Sequence, residues 1–332
     1  MSEQLSARIL KDQAADLEFA RNALNNGLVI SLPTETVYGL ACDALNRKAV
    51  KTVFDIKDRP LTDPLIVHVD SLKMACTVAF FSDRANRLAE HFWPGPLTMI
   101  LPKKACIPSI VCAGLPTVGV RSPANVLIQK VIKLCGFPLA APSANPFGYI
   151  SPTSLEPVLK TLGNRISGIL DGGTCQFGVE STVVDLSDPS KIFLLRPGPI
   201  SSVEIEKVLS EPVLTKFVQN NIESVSVSPG QHSKHYSPRT SLFIFENEPS
   251  EEINKNDRII YLQKTTRKNK YHYFLSKHGD WKEICHSLFG LLYRLDQDPS
   301  ICRIFIQVVK DDHPYAIIYR DRVHRAAFKS LG

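Results

Sequence analysis

Polar residues in this chain collect in short, often proline-bounded stretches that follow apolar runs. Pro33-Thr34-Glu35-Thr36-Val37-Tyr38-Gly39 comes first, with three hydroxyls and a carboxylate. Placed beyond a strand end of an open α/β sheet, such a set suits a polar small molecule. A helix N-cap by Thr34 or Thr36 accounts for it equally well. Lys57-Asp58-Arg59-Pro60 follows. Its cations either complement a helix C-terminus or clamp a phosphate, with the planar Arg fork and the Lys point charge acting together. His68, inside Leu65-Ile66-Val67-His68-Val69, is either a hydrogen-bonded core residue or a ligand contact. Arg121 ends Thr117-Val118-Gly119-Val120-Arg121, and Arg196 opens Arg196-Pro197-Gly198-Pro199. Between them lie Ala141-Pro142-Ser143-Ala144-Asn145-Pro146, Asp171-Gly172-Gly173 and Glu180-Ser181-Thr182. Arginine is rarely buried unless paired, so several at strand ends point to an anionic ligand. Any one of them alone is equally an ion pair.

The elements that position these stretches alternate between helix and strand, the pattern of α/β architecture. Helices are expected over 17–26, 48–57, 83–92, 125–135 and 201–209. Strands are expected over 28–32, 64–69, 97–101, 117–120, 139–141, 166–170, 182–186 and 192–195. Residues 220–240 are polar and carry Ser228-Pro229-Gly230 and Ser237-Pro238. They divide a first unit, 1–219, from a second, 241–332. In the second, strands are expected over 242–245, 258–262, 271–275 and 303–309. A helix over 281–295 keeps one face apolar, a stripe that reads as core packing.

A chain of 332 residues suggests about two domains. Its 44% hydrophobic and 22% charged content excludes collagen-like, coiled-coil and wholly disordered chains. The net charge of +6 is spread over both units, which suits an anionic small ligand or weak RNA contact but not a dedicated DNA-binding face. Eight cysteines form no C-x-x-C pair, and the first residues carry no apolar leader. The expectation is a cytoplasmic, reduced protein with no membrane span and no structural metal site. No P-loop, G-x-G-x-x-G, H-E-x-x-H or G-x-S-x-G motif is present.

Taken in order, the polar stretches resemble the threonylcarbamoyl-AMP synthase family in its long, two-domain form. The matching pieces are P-T-E-T-V-Y-G-L at 33–40, K-D-R-P at 57–60, P-L-I-V-H-V at 64–69 and W-P-G-P-L-T at 93–98. V-G-V-R at 118–121, A-P-S-A-N at 141–145, D-G-G at 171–173, G-V-E-S-T at 178–182 and L-R-P-G at 195–198 complete the series. The resemblance implies a twisted open mixed sheet with flanking helices, followed by a smaller Rossmann-like α/β domain. It implies synthesis of threonylcarbamoyl-AMP from L-threonine, bicarbonate and ATP, with Mg²⁺ accompanying the nucleotide. Downstream proteins then transfer the threonylcarbamoyl group to tRNA beside the anticodon. By the same resemblance Thr36, His68, Arg121, Ser181 and the backbone of Ala141 meet threonine. Lys57, Arg59, Asp63, Thr117, Ser143, Ser151, Arg196 and His235 surround ATP, with Lys57 and Arg59 acting on the leaving pyrophosphate. Asn145 and Glu180 hold the loops, and the linker crosses the mouth of the site.

Two departures stand out. Asp63 replaces the Asn common in the family, and a carboxylate there must face away, bind a metal or meet Arg59. Gln231-His232-Ser233 replaces a basic, aromatic triplet before Lys234-His235-Tyr236. Two other classes compete with the synthase: an RNA-binding protein using the positive concavity, and a different carbamoyl transfer on the same fold.

Overall fold

The computed structural model describes residues 6–215, 235–249, 252–264 and 270–327, and the backbone of 329–330. Its first unit is built on a mixed sheet of eleven strands. In chain order these are β1 (Arg8–Leu10), β2 (Ile30–Leu32), β3 (Gly39–Asp43), β4 (Ile66–His68), β5 (Leu97–Pro102), β6 (Thr117–Arg121), β7 (Leu139–Ala140), β8 (Gly168–Leu170), β9 (Thr182–Asp185), β10 (Ile192–Arg196) and β11 (Val213–Thr215). Across the sheet they run β1-β8-β2-β3-β7-β4-β6-β5-β9-β10-β11. Parallel pairs such as β4·β6 and β5·β9 are interleaved with antiparallel ones such as β2·β3 and β5·β6.

Helices cover both faces of this sheet. α1 (Ala14–Asn25) packs with a later helix, Val126–Cys135, where Leu24, Ile128 and Ile132 meet Ile30, Leu32 and Leu139. The opposite face is covered by α2 (Arg47–Lys57), α3 (Leu72–Val78) and α4 (Asp83–Phe92), which contribute Val53, Phe54, Val78 and Leu88 to the main core. α5 (Val126–Cys135) is the partner of α1 just described, and α6 (Leu155–Leu162) and α7 (Ser202–Leu209) complete the first unit. Local chemistry sets the helix ends. The Asn46 side chain caps α2 by accepting from Lys48 and Ala49 N–H. Asp58, left-handed at φ 52°, then turns the chain so that Arg59 leaves the helix axis.

The second unit is a parallel sheet of β12 (Ser241–Phe245), β13 (Asp257–Gln263), β14 (His272–Ser276), β15 (Arg303–Gln307) and β16 (Lys329–Ser330), in the order β14-β13-β15-β12-β16. α8 (Trp281–Asp296) and α9 (Pro314–Ala326) pack on one face of it. Their core continues into the first unit through Tyr149, Ile150 and Val179. Tyr149 Oη donates to Asp296 at 2.5 Å, across the same junction. Among the described residues no helix is long and apolar enough to cross a membrane.

Expected and observed elements differ mainly where burial erases periodicity. β3 is almost wholly buried and short, so no alternation marks it. α3, α6 and α9 lie outside the expected helices. α9 carries Arg320, Arg322 and Arg325 among apolar residues, which breaks up its apolar stripe. The strand expected over 303–309 stops at Gln307. Ser228-Pro229-Gly230 and Gln231-His232-Ser233-Lys234 lie outside the described residues.

Two glycines separate steric from backbone demands. A Cβ on Gly198 would lie 2.2 Å from Thr182 N and 2.6 Å from the Ser181 carbonyl carbon. At Gly136, with φ +73°, a Cβ meets nothing within 4 Å. Gly136→Ala is therefore expected to cost about 1–2 kcal/mol, the left-handed penalty alone. Gly198→Ala forces two backbones apart and is expected to cost about 3 kcal/mol or more. Denaturant unfolding of both variants checks the order, and equal losses would refute the close approach.

Candidate active site

Side-chain alternation along the strands builds the site. Val118 and Val120 of β6 join the main core, so Gly119 and Arg121 face the other side of the sheet. In the β4·β6 register Ile66 stands beside Gly119 and His68 beside Arg121. Arg196 reaches this face through an irregularity. Ile192 and Leu194 of β10 point into the main core, and strict alternation would send Arg196 after them. The register shifts between Leu194 and Arg196, pairing Arg196 with Val183, whose side chain lies on the cleft face. A β-bulge of this kind re-aims a side chain.

The result is a cleft lined in part by Thr36, Arg59, His68, Arg121, Arg196 and His235. Ala141, Ser143, Glu180 and Ser181 also line it. Its cations are held by the protein as well. Arg121 places Nη2 2.6 Å from Glu35 Oε1 and donates through Nη1 to Thr36 Oγ1 at 2.9 Å. Arg59 Nη2 lies 2.9 Å from Asp63 Oδ2 and donates to the Pro64 carbonyl at 2.8 Å. Arg196 donates to the Ser181 carbonyl and hydroxyl, each at 3.0 Å, and Ser181 Oγ lies 2.8 Å from Thr98 Oγ1. Thr34 Oγ1 accepts from Thr36 and Val37 N–H, so the first polar stretch is a hydroxyl-bonded turn leading into β3 and not a helix cap.

Four of the sequence-derived residues do not line the cleft. Lys57 is wholly buried behind it and donates to the Ser143 and Asn145 carbonyls, clasping that loop. Burial pushes its ammonium well below the ordinary lysine value. Ser151 donates to Glu180 Oε1 at 2.6 Å and so acts through that carboxylate. Asp63 is the partner of Arg59, which settles how the added carboxylate is accommodated. Thr117 stands farther from the cleft. It starts β6 beside Pro102, whereas Arg121 ends the strand beside His68, about 13 Å along.

Other contributors were invisible as a group. Glu35 lies in a motif, but nothing local to that motif points to Arg121 as its partner. Thr98 supports Ser181, and Tyr38 Oη donates to the Gly173 carbonyl, joining the first stretch to Asp171-Gly172-Gly173. Arg322, from α9, donates to Glu180 Oε2 at 2.8 Å. The arginines spaced along α9 were the available signal.

Residues 22–198 match the family model described as telomere recombination, and residues 200–328 match that described as threonylcarbamoyl-AMP synthase, C-terminal domain. The threonylcarbamoyl-AMP synthase of Pyrococcus abyssi is 39% identical over 245 residues, covering 74% of this chain and 72% of the relative. That of Schizosaccharomyces pombe is 35% identical, covering 90% of this chain and 77% of the relative. The chain belongs to the threonylcarbamoyl-AMP synthase family. The crystal structure of P. abyssi Sua5 complexed with L-threonine superposes with a TM-score of 0.86 at 30% identity, covering 98% of this chain and 99% of that one. Escherichia coli YciO shares the fold of the first unit at 23% identity, covering 57% of this chain with a TM-score of 0.52.

Two imidazoles of this family member share one electrostatic environment. Burial, with Arg121 beside it, pushes His68 down to about 3. His235 is also held well below its ordinary value, by burial and then by Arg59, Lys57 and Arg196. Both are neutral in the folded protein near neutral pH. An imidazole protonated only when unfolded weakens the fold as pH falls. For His68 the contribution is fully present above the unfolded value of about 6.5 and is lost progressively toward about 3. Between about pH 4 and pH 6, His68→Gln is expected to lower the slope of unfolding free energy against pH by about 1.4 kcal/mol per unit. Denaturant titrations across that range measure it, and an unchanged slope would show that His68 titrates normally.

Proposed function

We propose that the cleft synthesises threonylcarbamoyl-AMP from L-threonine, bicarbonate and ATP with release of pyrophosphate. The observation that carries this reading is the convergence of Arg59, Arg121 and Arg196 on one hollow with Thr36, His68 and Ser181. Buried cations gathered this closely repel one another, and anionic ligands relieve that repulsion. Threonine occupies the end formed by Thr36, His68, Arg121, Ser181 and the Ala141 backbone. Its carboxylate shares the Arg121 fork with Glu35. The nucleotide phosphates occupy the end formed by Arg59, Ser143, Arg196 and His235. Lys57 acts through the loop it clasps, and Mg²⁺ arrives as part of the nucleotide substrate.

The chemistry proceeds in two displacements. The threonine amine, as its free base, attacks the carbon of CO₂ derived from bicarbonate, and the proton it sheds passes to solvent. A carbamate oxygen then attacks the α-phosphorus in line, and the bond to the departing pyrophosphate breaks. Such transfers need positioning and charge stabilisation more than covalent help. Neutral His68 and the buried hydroxyls orient threonine without protonating its amine. His235, at the mouth, limits access of water to the carbamate. The product is then handed to downstream proteins that modify tRNA. Eight free cysteines fit work in a reducing cytosol.

Pyrophosphate release from ATP should require both threonine and bicarbonate, and release indifferent to threonine would contradict the assignment. The subsites are separable by variants that strand no carboxylate. Arg59→Ala, made in an Asp63→Asn background, is expected to raise the KM for ATP at least about tenfold. Arg121→Ala, made in a Glu35→Gln background, is expected to do the same for threonine. Each is compared with its background variant, and unchanged constants would overturn the division.

A further inference from the structure

Among the described residues Arg322 is the largest wholly buried side chain, and it belongs to the second unit. Its Nε donates to Glu180 Oε2 at 2.8 Å and its Nη2 to the Pro197 carbonyl at 2.9 Å. Its Nη1 donates to Asp321, which also accepts from Arg325. The guanidinium carbon stands 5.4 Å from the centre of the Tyr236 ring. The neighbouring His235 N–H donates to the Arg325 carbonyl at 3.1 Å. One guanidinium therefore touches three segments that line or flank the cleft: Glu180-Ser181, Arg196-Pro197 and His235-Tyr236.

Holding the two units together does not require this arrangement. Tyr149, Ile150 and Val179 already pack into the core of the second unit, and Tyr149 bonds Asp296. Burying a guanidinium carries a desolvation penalty that apolar packing of the same volume avoids. What apolar packing cannot do is fix two loops and an aromatic ring at set angles, which the planar fork does. Resting on the synthase reading above, we propose that Arg322 is a positioning residue for the nucleotide half of the site. It acts through Glu180 and Pro197 on Arg196, and through Tyr236 on His235. Its contacts do not include Thr36, His68 or Arg121, and of the threonine-site residues only Ser181 adjoins a segment it holds, so the nucleotide half depends on it more than the threonine half. The second unit thereby takes part in the reaction as a brace for the nucleotide.

The test uses the full chain carrying Arg322→Lys, which keeps the charge and loses the fork, and Arg322→Met, which keeps the volume. Kinetics of pyrophosphate release give kcat and the KM for ATP, and calorimetry with threonine alone gives its affinity. Both variants should raise the KM for ATP about tenfold or more, with a clearly smaller loss of threonine affinity through Ser181. In an Arg196→Ala background, Arg322→Lys should lose most of its effect on ATP, because it acts through that residue. An unchanged KM for ATP in Arg322→Lys, an equal loss for ATP and threonine, or full additivity with Arg196→Ala would each overturn the inference. If Arg322→Met fails to fold, the Lys variant alone decides. A parent chain without threonine-dependent release would instead defeat the synthase reading, and this inference with it.

Discussion

Positive charge taken out of water is the constraint on which this site depends. Lys57, Arg59, Arg121, Arg196 and Arg322 are all buried, and each is held by carbonyls, hydroxyls or a carboxylate. Glu35, Asp63 and Glu180 are the buried carboxylates that face them. Arg59, Arg121 and Arg196 line the hollow itself, and desolvation strengthens their interactions with the carboxylates and hydroxyls around them. Removing one partner of such a pair costs about 3–5 kcal/mol, because the other charge stays buried alone. The network thus fixes the loops before any ligand arrives. The low basicity of His68 and the suppressed charge of Lys57 follow from the same burial.

The fold supplies that network by simple periodicity with one exception. Alternation in β4 and β6 sends valines into the core and His68 and Arg121 into the cleft. Arg196 would face the wrong way without the bulge in β10. The left-handed Asp58 frees Arg59 from its helix in the same spirit. Regular elements therefore carry the frame, and local irregularities aim the charges.

That division explains what could be read from the chain beforehand. Strand-end stretches are written locally, in proline, glycine and hydroxyl residues, and nearly all of them converge on the cleft. Strands such as β5 and β10 are apolar runs and were visible. Pairings were not: nothing in Thr34-Glu35-Thr36 announces Arg121, and Arg322 meets Glu180 only after two units pack. Thr117 and Arg121 share one motif yet stand at opposite ends of β6, because a motif records order along a strand and not distance from the cleft. Asp63 had three readings in the sequence, and the 2.9 Å contact with Arg59 selects one.

On the proposed reading, one hollow joins three substrates. The most direct measurement is the mass of the adenylate formed from ATP, threonine and ¹³C-labelled bicarbonate. The account predicts a single product holding AMP, the carbamate and threonine, heavier by the one labelled carbon. A threonine-containing adenylate without the label, or labelled carbon found only in material lacking AMP, would contradict it.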